Sequence, residues 1–497
     1  MDENLNLALF CQLVAAKTPL IFITTDNESR TETLVTRAAL QGIKGMPVPL
    51  EWDCNEGFAG HPETRDPLTA LRWAVAREGH GIYLFKDMHW FWNDNPYLQR
   101  TLKDFAALRR PEAKSLVFLG PRPEIPDSLR EHFLILDHAL PDREEILAYL
   151  EGQRDKDPFL SQLLRDDQAL AALTLAAQGL DLADLERSLR LARVTRGTEV
   201  QRVVAALHQA KKQILKKSGI MEFVENDVRP EQVGGMATLK NWMEKREKAY
   251  GLEGLKSGRN LPKGVLMMGI SGCGKSLFVK AIAARWRLPL IRLDMATVYS
   301  QAYGSPETSL RRACKTAEAL APCVLWIDEI EAGISTQGFK AEGGASSRVL
   351  GYFLTWMQEK RHPVFVAATA NAIEMLPAEI LRKGRFDEIF YVALPGLEER
   401  EEIFRIHLSK RDTDPSAFDC RMLAHSSKGF SGAEIEQAVV SASFEALAQQ
   451  RPLSQRDLTE AISRTVPLSV TMAEQIKKIE AWAFKRAVPA SGPPERD

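Results

Sequence analysis

The sequence predicts an α/β protein with two successive units, each a parallel sheet between helices, and a helical region closing the second. Three observations carry this. Short apolar runs between polar or turn residues alternate with helical patterns over 1–195 and again over 233–395, as buried parallel strands joined by crossover helices do. One of these runs, Gly264-Val-Leu-Met-Met268, leads into a glycine-rich turn and then a helical stretch, Leu277–Ala284. Residues 396–487 are helical by pattern and hold no good strand run.

Taken in order, the first unit (1–195) has strand candidates at Pro19–Thr24, Gly81–Phe85 and Ser115–Leu119. Residues 196–232 are charged and helix-prone, then polar around Glu225–Pro230, and read as a connector. The second unit spans 233–395, the helical region 396–487, and residues 488–497 read as a disordered tail. A chain of 497 residues has room for about two to four domains.

Composition narrows the partners. With 65 Lys+Arg against 66 Asp+Glu the net charge is −1, so there is no general pull toward nucleic acid or anionic membrane. The six cysteines are scattered with no CxxC pair, which argues against a zinc site or disulfide framework and fits a reducing compartment. The acidic start, Met1-Asp2-Glu3-Asn4, is unlike a signal peptide, and no apolar run approaches the ~18 residues a membrane span needs. An intracellular protein is expected, in the cytoplasm, or in the plastid stroma if the gene is plastid-encoded.

The turn after Met268 reads Gly269-Ile270-Ser271-Gly272-Cys273-Gly274-Lys275-Ser276, which is G-x-x-x-x-G-K-[ST] in its required strand–turn–helix context. Glycines there let backbone N–H groups turn inward around phosphate oxygens, and the helix N-terminus adds its positive dipole end. Lys275 is expected on the β- and γ-phosphates and Ser276 on Mg²⁺, so the cofactors expected are ATP and Mg²⁺. About 50 residues on, Val324-Leu-Trp-Ile-Asp-Glu329 is an apolar strand ending in two carboxylates. Asp328 fits the acid that holds the magnesium, and Glu329 the base that polarises the attacking water. A third strand, Pro363–Thr369, runs into Asn371, whose amide is a candidate for the γ-phosphate or the water; alone it would read as a turn residue.

Over about 230–470 these residues resemble the AAA ATPase family. Gln232-Val-Gly-Gly235 looks like the family's lead-in beside the adenine, which places Gly234 at the nucleotide. Leu376-Pro-Ala-Glu-Ile-Leu-Arg-Lys-Gly-Arg-Phe-Asp387 looks like its second region of homology. The resemblance puts Asn371 on the sensor-1 position and Arg382 and Arg385 on the two arginine-finger positions. Gly429-Phe-Ser-Gly-Ala-Glu434 looks like the lid motif, with Ala433 at sensor 2. It implies that Arg382 and Arg385 reach the γ-phosphate of a neighbouring subunit, so that the working form is a homo-oligomer, commonly a hexameric ring or spiral. Two departures stand out. Ala302 sits where members that thread polypeptide usually carry an aromatic, with Tyr303 one place late, and Ala370 precedes Asn371 where Thr is usual.

The first unit reads as a worn copy of the second. Ile125-Pro126, Leu129-Arg130, Phe133, Ala139-Leu-Pro141 and Arg143-Glu-Glu-Ile146 repeat the order of Leu376-Pro377, Leu381-Arg382, Phe386, Ala393-Leu-Pro395 and Arg400-Glu-Glu-Ile403. The glycine-rich loop is replaced by Thr24-Thr-Asp-Asn-Glu28, Lys86 stands where the magnesium acid should be, and Arg385 has no counterpart. This half is expected not to hydrolyse ATP. The worn first half, the single intact site and the segment Pro467–Ile476 together resemble the conserved open-reading-frame AAA proteins of algal plastids and cyanobacteria, found also in other bacteria. His89-Trp-Phe-Trp92 reads as core packing or, alternatively, a docking patch, and Lys211, Lys212, Lys216 and Lys217 as a solvated helix face. The function expected is an oligomeric ATPase that remodels a protein client which the sequence does not identify. The alternatives are a nucleotide-gated scaffold that threads nothing and, behind it, a nucleic-acid-stimulated motor.

Overall fold

The described residues form two sheets, parallel but for one edge strand of the second, and one strand order runs through the centre of both. The structure, a computed structural model, describes residues 5–492 apart from 26, 43–44, 109–110, 196–198, 227, 251–253, 255–260, 301–304, 335–344, 373–374 and 383. The described chain divides into compact units 1–141 and 142–497.

In the first unit, β1 (Leu20–Thr24), β2 (Leu50–Trp52), β3 (Gly81–Lys86), β4 (Lys114–Gly120) and β5 (Phe133–Asp137) lie in the order β2-β3-β4-β1-β5, all parallel. β4 is buried along its whole length and β1 but for its last residue, because helices cover both faces, which is why they read as unbroken apolar runs. Cores fill both sides of the sheet: an aromatic one around Phe22, Trp52, Phe85, Trp92 and Phe118, and an aliphatic one around Phe10, Ile21, Ile23, Val35 and Leu119. His89 and Trp92 belong to the interior while Trp90 is 64% exposed, so the His89–Trp92 segment divides between packing and surface.

In the second unit, β6 (Met221–Phe223), β7 (Gly264–Gly269), β8 (Leu290–Leu293), β9 (Cys323–Ile327), β10 (Val364–Ala370), β11 (Glu388–Val392) and β12 (Val488–Pro489) form one sheet, ordered β12-β11-β7-β10-β9-β8-β6. Its central series, β8-β9-β10-β7-β11, repeats β2-β3-β4-β1-β5 strand for strand. The register agrees too. β4 and β10 both have seven residues, Thr24 pairs with Gly120, and Met268 pairs with Ala370. Lys86 lies opposite Leu119, the place that Asp328 takes one step beyond the Ile327–Ala368 pair. The next residue is left-handed in both sheets, Asp87 at φ 54° and Glu329 at φ 47°.

Helices Leu397–Ser409, Cys420–Ser426, Gly432–Ala448 and Gln455–Arg464 form a lid with its own core around Phe404, Leu423, Phe430, Ile435 and Leu458. Helix Ala473–Ala483 returns to the sheet, placing Ile476 and Ile479 in the cores on either face.

Three boundaries differ from the sequence reading. The compact units divide at Pro141/Asp142 rather than near 195. Helices between Arg143 and Ser218 share a core around Ile146, Leu173, Leu189 and Leu207, and Leu215 on the last of them enters the core of the second sheet. Gly179 is part of this contact: at φ 82° it lies so near the Ala319 carbonyl that a Cβ would stand 2.2 Å from the oxygen. The connector supplies a strand, β6, antiparallel to β8. Finally, Val488–Pro489 is an edge strand on β11, and Ala490 is buried between Tyr391 and Leu239, whose backbones it bonds. The disordered tail expected from 488 is therefore ordered through Gly492, and 493–497 lie outside the described residues.

Candidate functional site

The site lies at the carboxyl ends of β7, β9 and β10, where an open α/β sheet presents its loops. β7 is buried throughout and anchored at its start by Asp387, whose carboxylate accepts from Gly264 N at 2.8 Å. At its end Gly269 adopts φ 147°, with the Val392 carbonyl where a side chain would begin. The loop 270–274 then curls through Gly272 and Gly274, both with positive φ, into helix Lys275–Trp286. Among the described residues no side chain caps that helix, which leaves the first-turn N–H groups available to an anion.

Lys275 is buried, and its ammonium donates to the carbonyls of Gly269 (3.0 Å) and Ile270 (2.8 Å). Burial holds it below the ordinary lysine range, against the pull of Asp328, Glu329 and Glu331. Cys273, a neighbour in the loop, is pushed up to about 12 by burial, so its thiol stays protonated at neutral pH. Ser276 Oγ donates to Asp328 Oδ1 at 3.2 Å, which brings a hydroxyl and a carboxylate to one point, the donor set a hard dication takes. Thr369 Oγ1 donates to the same Asp328 oxygen at 2.5 Å and accepts from Glu329 N at 3.1 Å. Asn371 Nδ2 donates to Glu329 Oε1 at 2.9 Å. The positive φ of Glu329 is a strained setting for a side chain with a Cβ, of the kind found at functional sites.

These groups open onto a cavity of about 400 Å³, a size suited to a small-molecule ligand. Gly234 and Met236 form one wall, beside the lid. The lid grips that wall: Glu402 accepts from Gly235 N at 2.7 Å and Glu399 from Met236 N at 3.0 Å. Ala433 N donates to the Gly272 carbonyl at 2.9 Å, and a Cβ on Gly272 would meet the Ala433 methyl at 3.0 Å, so the lid rests directly on the glycine-rich loop. Ile403, Ile406, His407 and Lys410, spaced along one helix face, line the cavity with Glu436 opposite. Burial holds His407 below the usual imidazole range although Glu436 lies 3.7 Å away.

The predicted residues thus fall into two groups. Gly234, Ser271, Gly272, Cys273, Gly274, Lys275, Ser276, Asp328, Glu329, Asn371 and Ala433 line one cavity, and Gly269 and Ile270 shape its loop. Arg382, exposed, and Arg385, which donates to the Glu379 carbonyl, do not line it. Ala302 and Tyr303 lie outside the described residues. Sequence reading passed over Thr369, Glu331, Met236 and the lid residues His407, Glu399 and Glu402. The i, i+3, i+4, i+7 spacing of Ile403, Ile406, His407 and Lys410 was the available signal for the lid face.

A helix-lidded parallel sheet with this loop and strand-end pair defines a nucleotide-binding class, and comparison with known proteins gives the family. Residues 265–394 match the family described as ATPase family associated with various cellular activities (AAA), and residues 7–138 match the SpoVK-like AAA ATPase, N-terminal domain. The chain is 35% identical to the AAA domain-containing protein ycf46 of Trieres chinensis over 95% of each. It is 36% identical to that of Guillardia theta over 95% of this chain and 94% of the relative. The chain belongs to the AAA ATPase family. Over a shorter region, 42% of this chain, it is 33% identical to the ATP-dependent zinc metalloprotease FtsH of Aster yellows witches'-broom phytoplasma, of which that region is 31%.

Proposed function

We propose that this chain binds ATP with Mg²⁺ at the Gly269–Ser276 loop and hydrolyses it, that two subunits complete each site, and that the assembly remodels a protein client. The observation that carries the reading is the meeting of Ser276 with Asp328 and of Asn371 with Glu329 at adjacent strand ends. Ser276 and Asp328 would hold Mg²⁺, which supplies charge neutralisation on the β- and γ-phosphates. The loop N–H groups and the helix N-terminus bind phosphate oxygens, and Lys275 exchanges its backbone carbonyls for them. Glu329 takes the proton of the attacking water at one carboxylate oxygen, while Asn371 fixes the other and orients the pair. Gly234, Met236 and the His407 face enclose the base and ribose and exclude water.

Arg382 and Arg385 stand off their own cavity, which agrees with a role on a neighbour's γ-phosphate. A protein client is supported by the FtsH relative, by name an ATP-dependent protease. A second reading, an assembly gated by nucleotide that threads nothing, is favoured by Ala302 at the place of the pore aromatic. Among the described residues no helix is long and apolar enough to cross a membrane.

Phosphate release from ATP by the purified full chain tests the reading. Turnover that needs Mg²⁺ and stops on chelation is expected; no turnover in any assembly state would sink it.

A further inference from the structure

The acidic run at the end of β9 does not stop at Glu329. Glu331, two residues on, is the second residue of helix Ile330–Ile334 and only 6% exposed. Its Oε1 accepts two backbone N–H groups, Asn371 N at 2.7 Å and Ala372 N at 3.1 Å. Its Oε2 is buried with no hydrogen-bond partner among the described residues. Burying a carboxylate half-unpaired costs free energy, a cost that an uncharged acceptor for the same two N–H groups would lessen.

The two N–H groups it takes are the first beyond Ala370, where β10 ends and the sheet ladder no longer serves them. Glu331 therefore sets the direction in which the chain leaves the strand, and with it the direction of the Asn371 side chain. Asn371 in turn holds Glu329. The ends of β9 and β10 are cross-linked at three levels: Asp328 to Thr369, Glu329 to Asn371 through its side chain, and Glu331 to the backbone of Asn371 and Ala372. Charge-assisted bonds of this kind are stiffer than neutral ones.

We propose that Glu331 is a positioning residue for ATP hydrolysis, fixing Asn371 and through it the Glu329 carboxylate; this rests on the function proposed above. Glu331 touches neither nucleotide nor water in this account, so its loss shows in turnover and not in binding. A misplacement of about 1 Å at the reacting groups can cost about 10²-fold.

The experiment is ATP turnover and equilibrium nucleotide binding for full-length Glu331→Ala, Glu331→Gln, Asn371→Ala and the Glu331→Ala/Asn371→Ala double variant. Glu331→Ala is expected to lower kcat by about 10- to 100-fold and leave the nucleotide Kd within about twofold. Glu331→Gln, whose carbonyl can accept both N–H groups, should stay within about threefold of wild type. The double variant should be no slower than Asn371→Ala alone, since the two act through one step. Equal losses in affinity and kcat, a Gln variant as slow as Ala, or full additivity would overturn the inference. Should Glu331→Ala fail to fold, Glu331→Asp keeps the charge but is one methylene short of both N–H groups. The same kcat loss is expected from it, and a wild-type kcat would overturn the claim. A wild type that hydrolyses, slowed by Asn371→Ala but additive with Glu331, defeats this inference alone; an inactive wild type defeats the proposed function as well.

Discussion

The side-chain amide of Asn371 donates to Oε1 of Glu329 at 2.9 Å, tying the first residue beyond one central strand to the second residue beyond its neighbour. Glu329 is held by its backbone as well, through Thr369. A carboxylate fixed at one oxygen presents the other in a defined direction, and the strained φ of 47° is kept because the surroundings over-determine it. Asn371→Ala is expected to lower kcat by about 10²-fold or more while nucleotide affinity holds, read from steady-state turnover beside equilibrium binding. Unchanged turnover would detach Asn371 from the chemistry.

Each chain should bind about one nucleotide, because the first unit repeats the strand order of the second without its glycine-rich phosphate loop. Only residues 25–27 join β1 to helix Glu28–Gly42, against 270–274 in the second unit. Lys86, at the place of Asp328, is pinned by Glu32 at 2.6 Å and Glu51 at 3.2 Å. Glu28 opens its helix where Lys275 opens the one in the second unit, so a carboxyl takes the place of the phosphate-binding lysine, and burial with the nearby Asp87 charge holds it above its ordinary range. Lys275→Ala should therefore abolish all ATP binding by the full chain in titration calorimetry. Residual binding in that variant would place a second site in the first unit.

The arginines give a test of sharing between subunits. Arg385→Ala is expected to lower turnover by about 10³-fold, as loss of a γ-phosphate arginine does. Arg385→Ala and Lys275→Ala proteins, each inactive alone, should regain part of the activity on mixing, since one supplies an intact loop and the other an intact arginine. No recovery over a range of ratios would count against a shared site.

Lys211 predicts a pH effect on stability remote from the site. It was expected on a solvated helix face but is 2% exposed, and burial pushes its ammonium down to about 8 from 10.5. Below about 8 the ammonium is charged in both the folded and unfolded chain, and the burial cost is present in full. Between about 8 and 10.5 only the unfolded chain keeps the proton, so stability is gained as pH rises. Of the groups coupled to it, His208 is pushed down to about 4 by burial and Cys323 up to about 12, so neither changes charge in the folded state across that window. Lys211→Met should be more stable than wild type at neutral pH by up to about 3 kcal/mol, with the gap closing toward about pH 10. A thermal-melt difference that stays constant with pH would contradict this.

Much of this was legible because buried parallel strands and phosphate loops leave local signatures. β1, β3, β4, β7, β9 and β10 stand out as apolar runs, and the glycines of 269–274 are needed for the turns they make. The strands passed over were short or half-exposed. β2 and β6 have three residues each, and β12 is a two-residue edge containing a proline, so pairing with a neighbour rather than local pattern creates them. The Lys211 misreading has the same origin: helical spacing gives a face, and only the partner element decides whether that face meets water. Glu331, Glu399 and Glu402 were hidden because each acts on backbone N–H groups distant in sequence, which a charge pattern cannot reveal.

ATP turnover by Glu329→Gln, beside its nucleotide binding, tests the central claim most directly. The variant keeps the Asn371 contact and the loop but lacks the base, so binding at wild-type affinity with kcat lowered by about 10²-fold or more is predicted. Turnover at the wild-type rate would contradict the account, since the strand-end carboxylate would then play no part in the hydrolysis.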